Sequence, residues 1–242
     1  MTKIMGILNL TPDSFWAPSR CKADEAGVRI GKMLEAGADI IDIGAVSTRP
    51  GAPEVSLEEE WRRLRPVLPF LKRVVFSVDT VRAEIVRRVF EEAGPFIVND
   101  ISSGEDDPAM LPTVAGLKLG YVAMHKRGCP QTMDSLCDYP EGVVAEVMRY
   151  FRDFASTAER LGIRDWVLDP GFGFAKTEEQ NLELLEHLRD FSVLGRPVLV
   201  GIADKRFTHG DTEKYHRIAL LGGADILRVH DVAAARRLVG RD

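Results

Sequence analysis

Eight short apolar runs alternate with eight helical patterns along the chain, and this alternation predicts an α/β protein closed into a (β/α)8 TIM barrel. Three observations carry the expectation. The apolar runs are stretches of Ile, Val, Leu and Met without strict polar alternation, as in parallel strands buried on both faces. A helical pattern follows each run, as right-handed crossovers between parallel strands require. Three sister motifs, Gly37-Ala38-Asp39-Ile40-Ile41-Asp42, Gly162-Ile163-Arg164-Asp165-Trp166-Val167 and Gly223-Ala224-Asp225-Ile226-Leu227-Arg228, end a helix at glycine and start a strand almost at once. These motifs favour the closed form over an open doubly wound sheet. No proline-rich linker or low-complexity tract interrupts residues 1–242, so a single domain is expected.

In chain order, strands are expected at 4–10, 40–44, 74–79, 96–99, 121–125, 166–169, 198–202 and 226–230. The first helix, 23–36, carries Val28, Ile30, Met33 and Leu34 and stops at Gly37. The second, 57–71, opens at Ser56 with Glu58-Glu59-Glu60, acids that meet the positive end of the helix dipole. Trp61 and Phe70 on it read as core or interface. Further helices are expected at 81–93, 110–119, 142–161, 177–188, 212–221 and 232–239. His187, His209 and His216 are expected on the surface.

The composition narrows the function. With 45% hydrophobic and 29% charged residues the chain suits a soluble globular protein. A net charge of −5 argues against a general nucleic-acid surface. No apolar run is long enough to span a bilayer. The first ten residues run straight into Thr11-Pro12-Asp13-Ser14, with no cleavage site of the secretory kind. Cys21, Cys129 and Cys137 are odd in number and lack metal-ligand spacing, so they read as reduced thiols of a cytoplasmic protein.

The chemistry gathers at the strand ends. Asn9 offers an amide oxygen after the first strand, and Ser47-Thr48-Arg49-Pro50-Gly51 makes a cationic loop after the second. An arginine there suits a carboxylate or phosphate. Asp79, Asn99 with Asp100, and Asp169 end the third, fourth and sixth strands. Asp169 leads into Pro170-Gly171-Phe172-Gly173-Phe174-Ala175-Lys176. Lys205 follows the seventh strand, and Arg228-Val229-His230-Asp231 ends the eighth. Any single aspartate here could cap the next helix, and Asp79 before Thr80 has that simple reading. Together the tips converge on one rim of a barrel. Buried Asp and Asn oxygens can accept from a flat, N–H-rich heterocycle, and a lysine can donate to its carbonyl or ring nitrogen. Arg228, His230 and Asn9 could hold a diphosphate with a divalent cation such as Mg²⁺, for which one protein oxygen suffices. His125 reads equally as a loop-orienting or a functional residue. There is no Walker sequence, no nucleophile elbow and no His/Cys cluster for zinc.

These same stretches resemble the dihydropteroate synthases, the folate-pathway enzymes targeted by sulfonamides. The matches run from Met5-Gly6-Ile7-Leu8-Asn9-Leu10-Thr11-Pro12-Asp13-Ser14-Phe15 through Ser47-Thr48-Arg49-Pro50-Gly51-Ala52, Ser77-Val78-Asp79-Thr80 and Val98-Asn99-Asp100-Ile101. They continue through Met124-His125, Gly128–Met133 and Asp169–Phe174 to Arg228-Val229-His230-Asp231-Val232. The resemblance implies a pterin-binding (β/α)8 barrel that condenses 6-hydroxymethyl-7,8-dihydropterin diphosphate with 4-aminobenzoate by a dissociative substitution. It implies that Asp79, Asn99, Met124, Asp169 and Lys205 bind the pterin, with Asp79, Asp169 and Lys205 catalytic. Thr48, Arg49, Arg228 and His230 would hold the diphosphate, Phe15, Pro50, Phe174 and Arg206 the aminobenzoate, and Asn9 the Mg²⁺. Three departures stand out, one being a first loop that reads Phe15-Trp16-Ala17-Pro18-Ser19-Arg20 in place of the family's commoner glycine-rich run. Asp204 replaces a family arginine beside Lys205, and the region 207–221 is shorter than in the family, giving a shortened seventh helix region. That helix helps form the family's dimer, so the implied homodimer is in question. The alternatives are an inactive synthase-like paralogue and a methyl-tetrahydrofolate-binding domain of a methyltransferase; Ser47–Gly51 and Gly128–Met133 speak against the latter.

Overall fold

The computed structural model describes residues 1–10, 20–46, 54–129, 132–203 and 205–240, with backbone alone at 20–24 and 134. Its eight strands are β1 (Lys3–Asn9), β2 (Ile40–Gly44), β3 (Phe76–Asp79), β4 (Ile97–Asp100), β5 (Gly120–Met124), β6 (Trp166–Asp169), β7 (Leu199–Val200) and β8 (Ile226–Val229). All pair in parallel, in the order β6-β5-β4-β3-β2-β1-β8-β7. The ring closes between β6 and β7 through a parallel bridge from Leu168 to Val198, where Leu168 N donates to Pro197 O at 3.0 Å. The helices are α1 (Arg20–Glu35), α2 (Leu57–Leu64), α3 (Ala83–Ala93), α4 (Met110–Leu117), α5 (Val143–Leu161), α6 (Glu178–Glu186), α7 (Thr212–Leu221) and α8 (Val232–Val239). Within the described residues no helix is long and apolar enough to cross a membrane.

Local chemistry sets the boundaries. Ser56 Oγ accepts from Glu59 N at the start of α2. Thr177 and Gln180 form a reciprocal capping box on α6. Asp211 and Asp231 cap α7 and α8. The helix expected at 57–71 divides, because Pro66 and Pro69 lack the N–H an α-helix needs; Arg65–Leu71 winds as a 3-10 helix. A 3-10 turn, Arg206–Thr208, leads into α7. At the base of the ring, Asp39 and Asp225 of two sister motifs accept from Ile4 N and Val198 N, each tying a strand start to its neighbour.

Three surface assignments are corrected. Val28 of α1 is 57% exposed, because it sits two residues, about 200° of helix, from both the buried Ala26 and Ile30; Leu34 is 37% exposed. His216 is buried on the inner face of α7 with Tyr215 and Ala219, and burial pulls its pKa down to about 4. Glu60 does more than meet a dipole: it is 1% exposed and accepts from Thr80 Oγ1 and Arg82 Nη1, both at 2.6 Å.

The barrel interior is layered by the period-two alternation of strands. Met5, Ile40, Val122, Leu199 and Ile226 form an apolar plug, with Ile97 and Val167 packed against it. Two residues further along the same strands stand Asp42, Asn99, Met124, Asp169 and Arg228. The plug thus floors a polar mouth. Because β7 is only two residues long, its place in the ring depends on Leu199 in that plug. Leu199→Ala should therefore cost about 2–5 kcal/mol in denaturant unfolding. A loss below about 1 kcal/mol would mean that the plug is not what holds β7.

Candidate active site

The strand register brings the predicted tips together. Gly44 pairs with Asp79, Asp79 with Asn99, and Met124 with Asp169. Arg228 reaches across the barrel from β8: its Nε donates to Asp42 Oδ2 at 2.7 Å and its Nη2 to Asp79 Oδ2 at 2.9 Å. Asp42 is fully buried and also accepts from Ser77 Oγ at 2.5 Å and from Asn99 Nδ2 at 3.3 Å. Since the Asn99 amide nitrogen is committed to Asp42, its carbonyl oxygen is left to accept. Asp169 is 7% exposed, and its Oδ1 accepts from Gly171 N at 2.8 Å. Glycines keep the mouth open. A Cβ on Gly201 would stand 3.9 Å from both Asp169 Oδ2 and the Arg228 side chain, and one on Gly44 would stand 3.3 Å from Asp79 Cβ.

The charges are held at a cost. Burial pushes the Asp79 carboxyl up to about 7, against the pull of Arg228 and with added repulsion from Asp42, Glu60 and Asp100. Burial raises Asp169 to about 6, opposed by the Gly171 amide and then by Arg228, Lys205 and Lys176. Burial alone would lower the pKa of Arg228, but Asp42 and Asp79 raise it further, so the guanidinium remains a cation. At the edge of the mouth, Lys205 Nζ lies 4.3 Å above the half-buried ring of Phe174, a cation–π contact.

Most of the expected residues fall on this one cavity. Asp79, Asn99, Met124, Asp169 and Arg228 line the barrel mouth, and Lys205 and Phe174 flank it. Asn9 ends β1 half-buried opposite Gly44. His230 and Arg206 lie exposed just beyond β8 and β7. Phe15, Thr48, Arg49, Pro50 and Asp204 lie outside the described residues.

The capping reading of Asp79 does not hold. Its carboxylate bonds Arg228, while the first amide of α3 donates to Asp107 and Arg82 N donates to Thr80 Oγ1. Asp100, by contrast, serves the fold. It accepts from Ser102 N and Oγ, Gly104 N and Tyr121 OH. Sequence reasoning missed Asp42 and Lys176. A carboxylate inside the apolar run Ile40-Ile41-Asp42-Ile43 was the available signal for the first.

An eight-stranded parallel barrel whose C-terminal mouth gathers acids, a carboxamide, a paired arginine and a lysine over an aromatic ring has the architecture of a barrel enzyme. A family model described as pterin binding enzyme matches residues 5–230. The chain is 40% identical over 255 residues to the dihydropteroate synthase of Synechocystis sp., covering 98% of this chain and 88% of that protein. It is 41% identical over 253 residues to a folic acid synthesis protein of Pneumocystis carinii, covering 96% of this chain but 34% of that one, so it spans about a third of that longer relative. Among solved structures, a Xanthomonas albilineans dihydropteroate synthase with 4-aminobenzoic acid matches with a TM-score of 0.88 at 37% identity, covering 98% of this chain and 91% of that one. The chain belongs to the pterin binding enzyme family. Within that family it is similar to the dihydropteroate synthases, which are transferases.

Two measurements check the electrostatics. Asp42→Ala should cost about 3 kcal/mol in denaturant unfolding, because it strips the buried partner from Arg228; a loss within 1 kcal/mol would remove Asp42 from the centre of the network. The pH dependence is set by Asp79 and Asp169, which hold protons more tightly folded than unfolded. The stability this gives is fully present below the ordinary carboxylate value of 3.8 and is lost as pH rises through about 6 for Asp169 and about 7 for Asp79. The melting temperature of the protein should therefore fall more steeply between pH 4 and 6 than that of Asp169→Asn. Parallel curves would contradict the assignment.

Proposed function

We propose that the chain condenses 6-hydroxymethyl-7,8-dihydropterin diphosphate with 4-aminobenzoate, giving 7,8-dihydropteroate and diphosphate, and that residues 1–242 act as one pterin-binding barrel in the cytoplasm. The observation that carries the reading is the convergence of two buried acceptors, Asn99 and Asp169, and the half-buried Asp79 in one layer beside Arg228. A pterin presents an amino group and ring N–H groups along one edge, and that edge matches a row of oxygens. The similar Xanthomonas albilineans dihydropteroate synthase, solved with 4-aminobenzoic acid, supports the second substrate.

The chemistry follows from charge. The C–O bond at the pterin methylene breaks, and its electron pair leaves on the diphosphate oxygen. Positive charge spreads into the ring, where Asp79 and Asp169 stabilise it. Ring binding draws both carboxyls toward their ionised forms, since each carboxylate then gains donors or a cation. The arylamine nitrogen adds to the methylene and releases a proton. No covalent bond to the protein is needed. Preorganised charges of this kind act most strongly where water is excluded. Lys205 donates to the ring while Phe174, Arg206, Phe15 and Pro50 surround the aminobenzoate. Met124 packs against the pterin, and Thr48, Arg49, Arg228 and His230 take the diphosphate.

Mg²⁺ fits this arrangement as a guest of the substrate. Among the described residues no group of three His, Cys, Asp or Glu side chains could hold a metal by itself. Asn9 offers one hard amide oxygen at the mouth, which suits a cation whose other ligands are phosphate oxygens and water. The ion would supply neutralising charge on the departing diphosphate.

A coupled assay of diphosphate release tests the reading. Release should require both substrates, and EDTA should suppress it. Asp169→Asn should lower kcat/KM about 100-fold, the loss of about 3 kcal/mol expected for one charge-stabilising contact. Diphosphate release without 4-aminobenzoate, or an Asp169→Asn variant within a few-fold of the parent, would defeat it.

A further inference from the structure

Lys176 closes the loop that follows Asp169, and its ammonium is buried inside that loop. The residue is 8% exposed. Its Nζ lies 3.0 Å from each of three groups: the carbonyls of Gly171 and Phe174 and the Nδ1 of His125. An ammonium has three N–H donors, and these three acceptors surround it, with the His125 carbonyl oxygen a fourth at 3.5 Å. The His125 contact requires a neutral ring with its proton on Nε2. Burial, then Lys176 and Arg127, hold His125 down at about 2, which keeps it an acceptor.

The loop is wound around this cation. Gly171 and Gly173 have φ of 72° and 77°, and Ala175 takes the left-handed region at 49°. A Cβ on Gly171 would stand 1.9 Å from the His125 carbonyl oxygen, so only glycine lets the backbone pass there. Asn181, 2% exposed, accepts from Gly173 N at 2.7 Å and donates to the Thr177 carbonyl at 2.6 Å. Tyr139 OH donates to the Ala175 carbonyl at 3.0 Å.

What the loop carries is divided. Asp169 is fixed by the strand ladder, where His125 N donates to its carbonyl at 3.0 Å. Phe174 and Lys205 are not in that ladder. A Cβ on Gly173 would meet Lys205 Cδ at 2.9 Å, so the lysine stem lies across the loop before its Nζ reaches the Phe174 ring. A shift of the loop moves the Phe174 ring, while the ladder holds the Asp169 backbone in place.

We infer that Lys176 is a positioning residue for the second substrate: it sets the Phe174 ring through the Gly171 and Phe174 carbonyls and touches neither substrate. This rests on the condensation reading above. The placement opposes stability. Burial lowers the Lys176 pKa to about 7, with Asp169 opposing and Arg127 and Lys205 adding repulsion. A buried cation that costs stability is explained by what it orients.

Steady-state kinetics of Lys176→Met, varying each substrate in turn, test the inference. KM for 4-aminobenzoate should rise about 10-fold or more, while KM for the pterin diphosphate stays within about 3-fold, since a misplaced binding group weakens only what it contacts. A parallel rise in both KM values, or no rise in either, overturns it. Activity of the parent in the same assay keeps this result separate from the reading of the reaction. If Lys176→Met does not yield folded protein, Tyr139→Phe decides, because it frees the Ala175 carbonyl without touching the ammonium. A KM for 4-aminobenzoate about 3-fold higher, with the pterin KM unchanged, supports the inference, and an unchanged KM for both overturns it.

Discussion

The guanidinium of Arg228, held between Asp42 and Asp79, is the contact on which the mouth of the barrel depends. It spans strands far apart in sequence and joins groups that would otherwise repel. Asp42 passes the constraint on, since it also takes Ser77 and the Asn99 amide. The result is a set of acceptors whose directions are fixed before any ligand arrives. A half-satisfied network of buried charges would be costly, so the arrangement works only as a whole.

That network stands on an apolar floor. The plug of Met5, Ile40, Val122, Leu199 and Ile226 fills the barrel interior beneath it. Burial drives Asp79 and Asp169 toward neutrality. Stability and chemistry therefore pull in opposite directions across one layer boundary, two residues along each strand. A ligand that brings N–H donors and developing positive charge would resolve the conflict, which is the physical sense in which the mouth suits the proposed reaction.

Much of this was legible in the sequence. Strands β2 and β6 begin and end where their apolar runs do, because parallel strands covered on both faces carry no competing signal. The tips Asp79, Asn99 and Asp169 were visible as polar residues ending such runs. Asp42 was not, although it lies in the same layer, because it sits inside its strand and was read only as part of a helix-to-strand motif. Lys176 was hidden for another reason. Its importance lies in backbone carbonyls curling toward it, and those depend on positive φ at Gly171, Gly173 and Ala175. The exposed Val28 and buried His216 show the usual weakness of local pattern, which counts residue types before it knows which face turns inward.

The two substrates meet two kinds of structure. In the proposed reading, the pterin edge would be read by side chains rooted in the ring, whose positions follow from strand register and the plug beneath. The proposed aminobenzoate contact Phe174 belongs to a loop held by hydrogen bonds from Lys176, Asn181 and Tyr139 and by a cation–π contact with Lys205. A register is all-or-none, since a slip of one residue would turn every inward side chain outward. A loop can shift by tenths of an ångström and keep the fold. Changes that alter selectivity are therefore far easier to accommodate on the aminobenzoate side of this cavity than on the pterin side, where any change must pass through Asp42, Arg228 and the closure of the barrel itself.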